Sequence, residues 1–200
     1  SKGTSGTSTG QFSIQTTALS INSTYYVRGF ATNCVGTSYS TALEVKPITG
    51  NITYTLDINQ ATYPNQYKLI KEAMDSACYY YNRYTTFKGN IYVYYNAGIP
   101  TAQASYHGSI GFGSSTNYMW VGTAMHEVAH FLGSGTTNAW KANLSSGVWV
   151  GAKAKAVIAS FGTGEVLKGD SNSNPIHFWP YGINYRSEVS SATDLIRHAK

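Results

Sequence analysis

Apolar positions in this chain recur with two different periods, and the change between them divides the sequence. Through residues 1 to about 47, apolar and polar side chains alternate in QFSIQTT, STYYVRGFATN and TSYSTALEVKP, with Gly, Asn and Ser in the gaps. That is the pattern of three or four antiparallel strands. Gly29, inside the second stretch, predicts a local irregularity there. Pro47 and the following ITGN mark the boundary of this region.

From residue 51 a helical period joins the strand pattern. NITYTLDI opens as a strand, and Pro64 stands where a helix can begin, because its missing N–H is not needed in a first turn. Tyr67, Ile70, Met74, Ala77, Cys78 and Tyr81 then form one stripe, with Lys68, Lys71, Glu72 and Asp75 mostly off it. NIYVYYNA and the glycine-broken ASYHGSIGFGSS read as further strands, TAMHEVAHFLG as a second helix and VGAKAKAVIASFG as a third. HFWPYGINY is irregular and aromatic, and SATDLIRHAK closes the chain as a short helix with a fraying end. The expected class is α+β: a domain over residues 51–200 with a central helix and a mixed sheet, preceded by a partial all-β unit over 1–48.

Composition narrows the functions this frame can carry. With 42% hydrophobic and 14% aromatic residues the chain can bury a core, and with 12% charged residues and no like-charge block it is neither disordered nor polybasic. The net charge of +5, 14 basic against 9 acidic residues, is scattered, which argues against a nucleic-acid partner. No apolar run reaches the roughly 18 residues of a membrane span. Cys34 and Cys78 fall in different regions and are expected as two buried free thiols. SKGTSGTSTG at the start has no signal-peptide core, so the expectation is a piece of a longer secreted or cell-surface chain with neighbouring domains.

The chemistry is concentrated in the second helix. His126 and His130 are four residues apart, so on a helix they lie about 40° apart around the axis and one turn along it, and both can reach one metal ion. Glu127 is rotated by about 100° from His126, beside the open side of such a metal, where a general base belongs. Ala124, Met125, Val128, Ala129, Phe131 and Leu132 surround the three, so the helix is expected to be buried, where unpaired His and Glu are costly. Zn2+ held by imidazoles would activate water at such a site.

A catalytic zinc takes three protein ligands, and the third must come from elsewhere. Beyond the helix the imidazoles and carboxylates are Glu165, Asp170, His177, Glu188, Asp194 and His198. His177, set in the rigid aromatic phrase HFWPYG, is the first choice; Glu188 and Asp170 stay open, Asp170 also as a residue that orients a ligand. Tyr185 and Tyr181 each offer a phenol to a developing oxyanion, and Tyr185 is taken as the candidate.

HEVAHFLG resembles the zincin metallopeptidases, and Gly133 after it resembles their metzincin branch, in which the glycine allows a sharp turn toward a third histidine. Thr136 stands at that third position, and no methionine follows the helix to match the family's methionine turn. HFWPYGINYRSE after HEVAHFLGSGT is similar to secreted bacterial and fungal zincin-like proteins, which implies that both phrases belong to one site. STYYVRGFATNCVGTSYST resembles the later strands of a fibronectin type III module over about 45 residues. The zincin resemblance implies that HGSIGFG is an edge strand for an extended peptide substrate, and it leaves His107 as a surface residue. Together these features lead to the expectation of a zinc metalloendopeptidase. The alternatives are a zinc hydrolase of another amide, such as cell-wall peptide, and a glycan-binding or adhesion module with a structural metal.

Overall fold

The computed structural model describes residues 3, 19, 20, 23–47, 49–170 and 173–200. The stretch QFSIQTT, expected as a strand, lies outside the described residues. The chain forms two compact units, Ser1–Ile48 and Thr49–Lys200.

In the first unit β1 (Tyr25–Val27), β2 (Phe30–Thr32), β3 (Thr37–Tyr39) and β4 (Leu43–Val45) form two antiparallel ladders, β1 with β4 and β2 with β3. The break between β1 and β2 falls at Arg28–Gly29, where Gly29 N–H is satisfied by Ser40 Oγ at 3.0 Å. The turn joining β2 to β3 is closed by Asn33, whose side-chain oxygen accepts from Val35 N–H and Gly36 N–H. Cys34 rides on this turn and is exposed, contrary to the expectation of a buried thiol; turns project their side chains outward once the backbone is tied inward. Cys78 is buried, and both thiols are free.

The second unit mixes helices and small sheets. Its principal sheet has the order β5 (Asn51–Asp57), β6 (Lys88–Tyr95), β8 (Ser109–Phe112), β7 (Ala102–Ala104). β5, β6 and β8 run parallel, and β7 returns antiparallel along β8. Parallel neighbours need a crossover, and α1 (Pro64–Tyr84) supplies it between β5 and β6. Alternation does the rest: Ile52, Ile91, Val93, Ile110 and Phe112 point to one face and are buried, while Thr53, Thr55, Asn90 and Tyr92 point away. α1 lays Ile70, Met74, Ala77 and Tyr81 into that core, and α2 (Val121–Leu132) packs against α1 and the sheet.

HGSIGFG is not the edge of this sheet. β8, inside it, is paired on both sides, by β6 and by β7. Its glycines serve packing: a Cβ on Gly111 would stand 2.6 Å from the Tyr94 ring. Among the described residues β5 and β7 are the two edges of this sheet, and β7 is the one with more contacts to α2.

The rest of the unit is built of short pieces. α3 (Asn138–Lys141), β9 (Leu144–Ser145), β10 (Val148–Trp149), α4 (Ala152–Ser160), β11 (Lys168–Gly169) and β12 (Phe178–Trp179) follow, the four strands forming one antiparallel sheet. α5 (Ala192–Ala199) ends the chain behind a capping box, with Ser191 and Asp194 each accepting from the other's end of the first turn. Far from fraying, it buries Leu195, His198 and Ala199, which share a face by their i, i+3, i+4 spacing.

Candidate metal centre

α2 owes its place to its neighbours in sequence. Every residue from Gly122 to Phe131 is buried, so the helix runs through the core and carries its polar side chains inside. Gly133 ends it in the left-handed conformation at φ 114°, and Ser134 N–H closes back onto Ala129 O at 2.9 Å. The turn puts the Ser134 carbonyl beside His130.

His126, His130 and His177 converge. One ring nitrogen from each lies within 4.8 Å of the others, the arrangement of three ligands around one ion. The rings of His126 and His130 are 4.5 Å apart and those of His126 and His177 5.3 Å. Backbone carbonyls fix the two helical rings: His126 Nδ1 donates to Gly182 O and His130 Nδ1 to Ser134 O, both at 2.7 Å. A carbonyl can only accept, so each Nδ1 carries the proton and each Nε2 keeps its lone pair, as a metal ligand requires. Burial holds both imidazoles neutral, pushing His126 down to about 3 and His130 to about 4.

The fit to a cation is set by what is left unpaired. Among the described residues the buried side-chain polar atoms without a hydrogen-bond partner include His130 Nε2 and Glu127 Oε2. Both belong to the HExxH segment, and such orphans are costly in a core unless something polar joins them. Burial pushes the Glu127 carboxyl up to about 8. Three converging imidazoles and a buried carboxyl make a donor set that suits Zn2+.

The other candidates are placed elsewhere. The Thr136 hydroxyl donates to His130 O at 2.8 Å and so ties down the end of α2. Glu188 accepts from Asn184 N–H at 3.2 Å, and Asp170 accepts from Ser173 N–H and its hydroxyl at 3.1 and 2.7 Å, so the structure does not bring either into the histidine cluster. Asp170 does act on His177 through the backbone, its N–H donating to His177 O at 3.0 Å. Tyr185 is 72% exposed and lines a cleft with Trp120 and Thr123, while Tyr181 donates its hydroxyl to Glu165. His107 is exposed and stacks on Tyr106.

One residue at the centre escapes a reading by motif. His198 Nδ1 donates to Tyr181 O, and its Nε2 lies 3.0 Å from Met125 O and 3.1 Å from the Tyr81 hydroxyl. Phe178 stacks between it and His126, with ring centroids 5.9 and 6.3 Å away. His198 therefore joins α2 to the segment after His177. Its position on the apolar face of α5, with Leu195 and Ala199, is the signal that marks it as buried.

Comparison of the chain with protein-family models, with curated proteins and with solved structures returns no match.

Proposed function

We infer that the chain is a zinc-dependent metallopeptidase whose ion is held by His126, His130 and His177. The observation that carries this reading is the pair of buried, unpartnered atoms, Glu127 Oε2 and His130 Nε2, beside a cluster of three converging imidazoles. A bound Zn2+ supplies Lewis acidity toward water and toward a carbonyl oxygen. The residues of the chain do the remainder. Gly182 O and Ser134 O orient two of the ligand rings, and the apolar walls of α2 keep bulk water from the carboxyl of Glu127. Oε2 of Glu127 takes the proton from the attacking water and delivers it to the leaving amine.

An extended peptide fits this arrangement through β7. Ala102–Ala104 has one unpaired edge among the described residues and lies against α2, so a substrate strand can add to the sheet alongside the helix that carries Glu127.

The test is Glu127→Gln with zinc content measured in parallel. The substitution keeps the shape of the side chain and removes its capacity to hold the proton. Cleavage of a denatured protein substrate should fall by at least roughly a hundredfold with one zinc per chain retained. Undiminished hydrolysis would sink the base role, and absence of zinc from the wild-type protein would sink the reading itself.

A further inference from the structure

Thr123 lies on the same face of α2 as His126 and Glu127, one turn earlier, and it opens onto a cavity of about 300 Å³. Its other walls include Trp120, Ile183, Asn184, Tyr185 and Arg186. The cavity thus shares both its sides with the metal centre: α2 on one, and on the other the segment whose Gly182 carbonyl fixes His126. Thr123 is four residues before Glu127, roughly 6 Å along the helix axis. An extended substrate advances about 3.3 Å per residue, so a group within two residues of the cleaved bond reaches this space.

The chemistry of the walls is not neutral. The Arg186 guanidinium lies 4.3 Å from the centre of the Trp120 ring, and its Nη2 donates to Asn117 O at 3.1 Å. Stack and carbonyl together hold a side chain that is otherwise free to wander. None of the ion pairs among the described residues involves Arg186. Glu188, two positions away, directs its carboxylate to Asn184 N–H instead. The guanidinium is therefore anchored, lines a cavity and has donors left over. Asn184, a residue of the same wall, has a buried Oδ1 without a partner.

We propose that this cavity is a subsite for a substrate carboxylate, received by Arg186 next to the cleaved bond. The carboxylate belongs either to an Asp or Glu side chain or to the free C-terminus of a short peptide. The inference rests on the peptidase reading and gives it a substrate class: peptides that present a carboxylate beside the cleaved bond, selected by charge and not by apolar volume.

The experiment uses zinc-loaded Glu127→Gln protein, so that binding is read without turnover, and three dansylated hexapeptides followed by fluorescence anisotropy. One carries glutamates and an amidated end, the second glutamines and an amidated end, the third glutamines and a free carboxyl end. At least one acidic peptide should bind roughly tenfold tighter than the neutral one, a gap of the size expected for a charge-assisted contact in a half-open site. Which one does so identifies the source of the carboxylate. The gap should close in the Arg186→Gln form, reopen in part with Arg186→Lys, and shrink as salt is raised. Equal affinities, no binding, or a gap that survives Arg186→Gln overturns the inference. Digestion of the same peptides by the wild-type zinc protein separates it from the reading beneath it. Arg186-dependent binding without cleavage sinks the peptidase alone, whereas cleavage without acid preference sinks the subsite alone.

Discussion

Residues 49–132 and 133–200 contribute to the same centre by opposite means. The first stretch is regular: α1 has 21 residues, α2 has 12, and all of β5 lies parallel along β6 over a continuous apolar core. The second joins two-residue strands and turns to the short helices α3, α4 and α5, with Ser146, Tyr181 and Ile183 all at positive φ. His126, Glu127 and His130 come from the regular part, and their spacing is a property of the helix. His177 comes from the irregular part, and its position is a sum of local bonds: Asp170 N–H to its carbonyl, Ile176 N–H to Gly135 O, and Phe178 packed on His126. A helix can fix a pair of ligands; closing the shell takes a loop whose geometry is negotiated contact by contact.

Removing a proposed ligand from each part separates the two roles. His130→Ala should abolish stoichiometric zinc binding, because it removes a ring already locked by Ser134 O and leaves the Glu127 carboxyl without its neighbour. His177→Ala should lower affinity by more than about a hundredfold, the upper loss seen when even an outer partner of a ligand is removed, yet leave the helical pair able to bind weakly. Titration calorimetry with Zn2+ measures both. A His177→Ala protein that binds zinc like the wild type would break the comparison, since the third ligand would then come from elsewhere.

Gly135→Ala probes the loop without touching a ligand. Gly135 sits at φ 72°, and a Cβ there would come within 1.9 Å of Ile176 O. The substitution should cost about 2 kcal/mol or more in stability, through both the left-handed backbone and the clash. Because Ile176 precedes His177, zinc affinity should fall along with the melting temperature. A fall in stability with unchanged zinc affinity would show that His177 is held by Phe178 and Asp170 alone.

The same division governs what the sequence discloses. Ile70, Met74, Ala77 and Tyr81 announce α1 by their spacing, and the pair His126 and His130 announces its own geometry, because a helix converts sequence distance directly into direction. β7 was not legible. Ala102–Ala104 is three small or polar residues, too short an alternation to mark a strand, and the expectation of an edge fell on HGSIGFG through its resemblance to the zincin edge strand. His177 could be reached by elimination among acids and imidazoles, by its rigid aromatic setting and by resemblance, not by spacing, and the cavity at Arg186 not at all. It joins residues 117–123 to residues 183–186, which no local pattern connects. The carbonyls of Gly182 and Ser134 are equally silent, since backbone atoms leave no trace in side-chain identity.

Burial of the centre also sets a pH dependence in the metal-free protein. His126 and His130 are pushed down from an ordinary 6.5 to about 3 and 4 by desolvation, and His198 is lowered for the same reason. Between those values and 6.5 the unfolded chain binds protons that the folded one refuses, so stability rises with pH across that window. Glu127 works in the other direction: raised from 4.5 to about 8 by burial, it keeps its proton in the folded state, and stability falls as pH climbs from 4.5 toward 8. Three histidines outweigh one carboxyl below 6.5, and the carboxyl acts alone above it. The melting temperature of the apoprotein should therefore peak near pH 6.5 and decline more steeply on the acid side. A monotonic rise through pH 8 would mean that Glu127 is ionised in the apoprotein and already has a partner.

The smallest effect is reserved for Thr136, and it is informative because it is small. Its hydroxyl donates to His130 O at 2.8 Å, so Thr136→Val should remove one hydrogen bond at the end of α2 and cost about 1 kcal/mol. The β-branched shape is kept, and the Gly133 turn that aims Ser134 O at His130 Nδ1 does not depend on the hydroxyl. Zinc stoichiometry should stay at one per chain and affinity within a few-fold, whereas a ligand lost from the ion would cost far more. Were Thr136→Val to bind zinc as poorly as His177→Ala, the hydroxyl would have turned from the helix end to the ion in the loaded protein. The irregular part would then supply two ligands and not one.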